Sequence, residues 1–194
     1  KLPWTFPLES RPIYYRPAAA VTRRNVAAAV PSLASIVDYI LDTHKGEKGV
    51  VHCRSFSLGY EVARLMKNQT RIILHERGVD RTRIVEQFKQ EMTDRWLISP
   101  SVSHGEDFSY DVARCQIILK IPFGDLSDQV TRIRTRQRPE WYYYKATQEL
   151  VQMIGRVTRA SDDMGETWIL DSKLDTLLTT YKRFVPDEIV QAFV

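Results

Sequence analysis

The sequence predicts an α/β fold of three layers, with helices on both faces of a mainly parallel sheet. Short apolar runs of strand length recur along the 194 residues, and segments with helical spacing of apolar residues separate them. Apolar strands joined through helices belong to a parallel sheet buried from both sides. A third observation sets the domain count. No repeat, low-complexity tract or internal linker interrupts the chain, so residues 1–194 read as one domain.

The elements follow in order. "PIYYR" (12–16) reads as a short strand. Residues 22–43 carry alanines and aliphatics at helical spacing, with Pro31 marking a break or a helix start. "GVVHC" (49–53) is a buried strand, followed by a helix from Leu58 to Lys67. "RIILHE" (71–76), a helix over 81–91, "RWLIS" (95–99) and "CQIILKI" (115–121) continue the alternation. A long helix is predicted over 140–160, then the strand "TWILD" (167–171) and a closing helix in "KLDTLLTTYKRF".

Composition excludes several classes. No uninterrupted apolar run approaches the roughly 18 residues of a membrane span, so no membrane partner is expected. The two cysteines, Cys53 and Cys115, are far apart and lack a CxxC partner. That spacing argues against a disulfide framework and against a metal held by this chain. A net charge of +4 permits an anionic partner without demanding one. The chain opens on Lys1, and is expected to be a piece of a longer polypeptide.

In parallel sheets ligands bind at the carboxyl ends of strands, which points to the loops after Cys53, Ser99 and Ile121. A cysteine phosphatase would need an arginine six positions after its nucleophile, but Gly59 stands there. With a single glycine, "RSFSLG" is also poorly suited to an amide cradle. Cys53 therefore reads as scaffold and His52 as a core or interface residue.

"ATQELVQMIGRVTRASDDMGE" (146–166) is the most specific stretch. On a continuous helix, Gln152, Gly155, Arg156 and Arg159 form one stripe, opposite Leu150, Ile154 and Val157. Two guanidinium groups one turn apart suit bidentate contacts with phosphate oxygens. By themselves they are equally compatible with a solvated basic face paired to Glu149, Asp162 or Asp163. The arginines of "TRIRTRQRPEWYYYK" (131–145) are read as a solvated helix face followed by core aromatics.

The Q-x-x-G-R-x-x-R pattern at 152–159, with "ASDDMGETWILD" after it, resembles motif VI of the DinG/XPD branch of superfamily 2 helicases. The resemblance covers most of the chain. "FPLESRPIYY" looks like the entry to that family's second motor domain, and "GVVHCRSFS" sits where motif IV belongs. "SPSVSHGEDFSYD" stands in the place of motif V, and "KIPFGDLSD" is similar to the family's K-x-P-F segment. Motif V departs from the pattern: His104 precedes Gly105 where the family has an acid, and Glu106 follows it, while Asp107 remains.

The resemblance implies a RecA-like fold and the C-terminal motor domain of an ATP-dependent DNA helicase. In that role Arg156 and Arg159 reach the γ-phosphate, one of them as an arginine finger. Gln152, Gly155, Gly105 and Asp107 border the nucleotide, Asp107 by accepting from the ribose or coupling to the finger. Arg54, Ser55, Ser99, Ser101 and Ser103 grip the backbone of single-stranded DNA, with RNA still open. No glycine is followed by lysine, and the Asp187-Glu188 pair does not close an apolar strand, so the chain supplies neither phosphate loop nor magnesium acids. ATP and Mg2+ are thus expected to be held mainly by a first RecA-like domain of the same polypeptide. That upstream domain is also where the family's iron–sulfur cluster lies, when there is one. The isolated chain is expected to be inactive, and the whole protein cytoplasmic in a prokaryote or virus and nuclear in a eukaryote. The alternative is a binding or docking module of the same fold without ATPase coupling.

Overall fold

The computed structural model describes residues 7–22, 24–92, 94–101, 108–158 and 160–194. Its strands are β1 (Ile13–Ala19), β2 (Gly49–His52), β3 (Ile72–Leu74), β4 (Trp96–Ser99), β5 (Cys115–Ile118) and β6 (Glu166–Asp171). They form one sheet in the order β1-β6-β5-β2-β4-β3, and every pairing is parallel. The helices are α1 (Val26–Thr43), α2 (Phe56–Leu65), α3 (Arg81–Gln90), α4 (Gln129–Gln137), α5 (Pro139–Ile154), α6 (Leu174–Leu178) and α7 (Asp187–Gln191).

The predicted three layers are present. Leu33, Val37 and Leu41 of α1 and Leu58 and Val62 of α2 cluster with Val51, Ile98, Ile117 and Leu170 on one face. On the other face, Leu150 and Met153 of α5, with Leu177 and Ile189, cluster on Ile13, Ile118 and Ile169. There α3 adds Ile84, Val85 and Phe88 over Val50, Ile73 and Leu97. The central strands β2, β4 and β5 are buried along their whole length, which is why their sequences run apolar without alternation.

Two details show how tightly the α1 face is packed. A Cβ on Gly49 would lie 2.3 Å from the Trp96 ring, so only glycine admits the indole across the β2–β4 pair. Pro31 sits inside α1 rather than at its start or at a break. The lost amide bond is tolerated because Val30, Leu33, Ala34 and Val37 bury the inner stripe while Pro31 faces solvent.

The structure corrects the sequence expectations in two respects. Helix α1 is 18 residues long with a mean hydropathy of 1.3, enough by length and composition to cross a membrane. A search for an uninterrupted apolar run misses it, because Ser32, Ser35 and Asp38 break the run while alanines and aliphatics keep the mean high. In this fold it is a core helix: Leu33, Val37, Ile40 and Leu41 are fully buried. The helix predicted over 140–160 is instead α5, which starts at Pro139 and stops at Ile154, with α4 as a separate helix before it. Pro139 ends one helix and begins the next, since the residue before a proline avoids the helical region and proline suits a first turn.

Candidate functional site

What ends α5 is a buried polar relay. Gln116 interrupts the apolar strand β5 and is fully buried, on the face that α5 covers. Its Nε2 donates to the Ile154 carbonyl at 2.9 Å and to Thr167 Oγ1 at 2.8 Å. The carbonyl can only accept, which fixes the amide orientation and leaves Gln116 Oε1 facing His52 Nε2 at 3.1 Å. The final carbonyls of a helix need partners from outside it, and Gln116 supplies one. The chain then turns at Gly155, whose amide still reaches Val151, and Arg156 N donates to Met153 O.

Gln152, Gly155 and Arg156 therefore do not form one helical stripe. Gln152 lies on the last turn of α5, exposed, whereas Gly155 and Arg156 occupy the turn beyond it. The physical cause is the C-terminal cap: glycine and the β-branched Val157 and Thr158 favour leaving the helix where Gln116 receives it. Arg159 lies outside the described residues, as do Ser103, Gly105 and Asp107.

Arg156 remains tied into the site. Its carbonyl accepts from Phe108 N at 3.4 Å, which joins the turn to the segment just after Asp107. Its positive charge also reaches His52. Burial, with a further contribution from Arg156, pushes the His52 imidazole down to about 4 despite the Gln116 bond. At neutral pH His52 is uncharged, and its Nε2 carries the proton donated to Gln116.

The loop after β2 is shaped by Cys53. Its thiol is buried and pushed up to about 12 by loss of solvation, so it is no nucleophile. A Cβ on Gly59 would come within 2.8 Å of Cys53 Sγ, so that glycine lets α2 close over the thiol. Arg54 takes a left-handed backbone with φ 62°. Its guanidinium donates to the Phe123 carbonyl at 3.1 Å and stands 3.7 Å from the Glu149 carboxylate. Motif IV thereby touches the K-x-P-F segment and helix α5, and Arg54 is held half-buried by protein groups. Ser55 is exposed and caps α2, accepting from Leu58 N at 3.2 Å.

The loop after β4 turns partly inward. Ser99 is fully buried and its hydroxyl bonds His75 Nδ1 at 2.8 Å, so it fastens the loop instead of facing a ligand. Ser101 is half-buried, within 3.3 Å of the same nitrogen. His75 Nε2 in turn lies 3.0 Å from the Val79 carbonyl. Asp171, at the carboxyl end of β6, is buried and accepts from the amides of Val21, Ile121 and Lys173, knotting three strand exits together.

Gln116 and His75 were missed as site residues. The signal for Gln116 was available: a lone amide inside "CQIILKI" is a buried polar group that must have partners. Nothing in the sequence marked His75, whose partners lie across β3 and β4.

Comparison with known proteins bears on this geometry. The family model for the helicase C-terminal domain matches residues 38–191. This chain belongs to that helicase C-terminal domain family. Within it, the domain is of the DinG/XPD type. A regulator of telomere elongation helicase 1 homolog from Drosophila ananassae is 33% identical over 122 residues, covering 53% of this chain and 12% of the fly protein. The Drosophila melanogaster protein of the same name is 32% identical with the same coverage. The chain thus spans about an eighth of the length of these relatives. Among solved structures, one titled XPD helicase aligns with a TM-score of 0.68 at 15% identity, covering 90% of this chain and 33% of that one. Xpd4 of S. tokodaii aligns at 0.66 and 14% identity, over 94% of this chain and 38% of its own. The C-terminal domain of the DEAD-box protein Dbp5 aligns at 0.53 and 10% identity, covering 93% and 88%. At these identities the structural matches establish the fold, which is RecA-like.

Proposed function

We propose that residues 1–194 act as the second motor domain of an ATP-dependent DNA helicase whose first RecA-like domain carries the phosphate loop. The observation that carries this reading is the convergence of three separate segments on the end of α5. His52 reaches it through Gln116, Arg54 through Glu149, and Phe108 through the Arg156 carbonyl. In this reading a displacement at any of them is carried to the arginine-bearing turn through these contacts. That is the requirement for coupling a strand-binding loop to a phosphate-binding residue.

ATP and Mg2+ are held mainly by the first domain in this reading. This chain contributes cationic charge from Arg156 and Arg159, with Gln152, Gly155, Gly105 and Asp107 along the same border. A buried wall of His52 and Gln116 behind Arg156 fits that task, because low local dielectric strengthens its field toward an anion. His52 stays neutral and so adds no competing cation. Among the described residues, Ser55 and Ser101 keep hydroxyls accessible to a sugar-phosphate backbone, while Arg54 and Ser99 act by holding the loops in place.

The test uses the full-length protein. Arg159→Ala and Arg156→Ala are each expected to lower strand-stimulated ATP hydrolysis by about 10³-fold or more, with single-strand binding by fluorescence anisotropy retained. A wild-type protein that binds strands but hydrolyses no ATP overturns the motor reading and leaves a binding module of the same fold.

A further inference from the structure

At the opposite, amino-terminal end of the sheet lies a second group of chemically active side chains that the motor reading does not use. Cys115 and Glu166 are register partners at the first positions of β5 and β6, so both project from the same face of the sheet. His44, the residue that ends α1, lies over them. One donor atom from each of the three residues falls within 4.8 Å of the others. His44 Nε2 stands 2.6 Å from Glu166 Oε1, and Trp168 Nε1 also donates to that oxygen.

Three features make this more than an ion pair. His44 Nδ1 donates to the Ile40 carbonyl at 2.7 Å, so that proton stays on Nδ1 and Nε2, which donates to Glu166 in the metal-free chain, is the nitrogen that can give up its proton to a metal. That second partner is what metal-bound histidines commonly have. Cys115 is fully buried beside the pair and its thiol is hydrogen-bonded to the same Glu166 carboxylate, which puts a soft sulfur donor next to the imidazole and the carboxylate. A cavity of about 500 Å³ opens onto the group, with His44, Glu47, Arg114 and Glu166 in its wall, and offers an entry path.

We propose that His44, Cys115 and Glu166 bind a divalent transition-metal ion, zinc by its ligand chemistry, with the fourth position facing the cavity. Sulfur, imidazole nitrogen and carboxylate oxygen are the donors zinc takes. On binding, the thiol proton and the proton on His44 Nε2 both leave to solvent, while Nδ1 keeps the proton it gives to Ile40. Thiolate, carboxylate and Zn2+ then sum to zero charge, a state that can be buried cheaply. Ligand atoms of a tetrahedral zinc site stand about 3.3–3.6 Å apart, so the observed spread needs to close by about 1 Å. The His44–Glu166 contact opens by a little less. The bound ion clips the end of α1 to β5 and β6. Residues 44, 115 and 166 have no motif spacing, which is why the sequence predicted no metal.

Cobalt(II) titration of the metal-free chain tests the proposal. One equivalent is expected to bind with a near-ultraviolet sulfur-to-cobalt charge-transfer band and the visible bands of tetrahedral coordination, and zinc is expected to displace it. Cys115→Ser removes the charge-transfer band, while Cys53→Ser, in the loop after β2, keeps it. His44→Gln, at a partly exposed position, weakens cobalt binding by about tenfold or more and decides the matter where Cys115→Ser does not fold. Absence of the band in the wild-type chain overturns the site. So does its survival in Cys115→Ser, or an unchanged affinity in His44→Gln.

Discussion

On the α1–α2 face of the sheet, Val51, Ile98, Ile117 and Leu170 join Leu33, Val37 and Leu41 in one apolar block. The α3–α5 face is built differently: beside its own apolar clusters it buries His52, Gln116, Thr158 and Thr167. Apolar packing is strong but tolerant of small shifts, because dispersion and burial have little directional preference. Hydrogen bonds between buried groups are weaker in net terms, yet leaving one unmade is expensive. The α1–α2 face therefore supplies stability, and the α3–α5 face fixes where α5 ends and where Arg156 begins.

The largest effect that separates the faces comes from the core of the first. Leu41 is fully buried in the α1 cluster. Leu41→Ala is expected to destabilise the chain by about 4 kcal/mol through lost burial and a residual cavity, measured by denaturant unfolding. The pH dependence of stability should keep its wild-type shape, since no titrating group has changed. A loss below about 1 kcal/mol breaks the claim that this face carries the stability.

The second effect belongs to His52. Its folded-state value lies near 4, below the ordinary 6.5, chiefly through burial. Above pH 6.5 both folded and unfolded chains hold it neutral, and its contribution is constant. As pH falls from 6.5 toward 4, the unfolded chain takes up a proton that the folded chain refuses, so stability is lost across that window. At about 1.4 kcal/mol per pH unit, the loss comes to about 3 kcal/mol. Comparison of wild type with His52→Leu isolates it, because carboxylates common to both cancel. The variant is expected to show an acid limb flatter by that amount, and equal slopes in the two proteins sink the assignment.

Most of the fold was legible in the sequence because buried parallel strands announce themselves: "GVVHC", "RWLIS", "CQIILKI" and "TWILD" are all strands of the sheet. The end of α5 was not legible. Helical periodicity carries past Ile154 through Val157, and the cap that stops it is supplied by Gln116, 38 positions away in the chain. The roles of the loops were only half legible for the same reason. Ser99 reads as a strand-end hydroxyl, but His75, just past the end of the neighbouring strand β3, claims it. Arg54 reads as a free cation, but folding brings Glu149 and the Phe123 carbonyl beside it. Local pattern finds elements. Partners that arrive from distant segments decide which polar groups remain available.

The smallest of the three effects is the most discriminating. Gln116→Leu keeps the volume of the side chain but leaves the Ile154 carbonyl and Thr167 hydroxyl without their donor, and His52 without its acceptor. The expected loss of stability is about 2 kcal/mol. Adding Thr167→Val should recover part of it, since an apolar pair of similar shape removes one stranded group. Strand-stimulated ATP hydrolysis in the full-length protein is expected to fall with Gln116→Leu and to stay low in the double variant, because neither substitution restores the cap on α5. If activity returns in step with stability, Gln116 is a packing residue and the polar face adds nothing that the apolar face lacks. If stability returns and activity does not, the relay sets the position of Arg156 independently of how firmly the domain is folded.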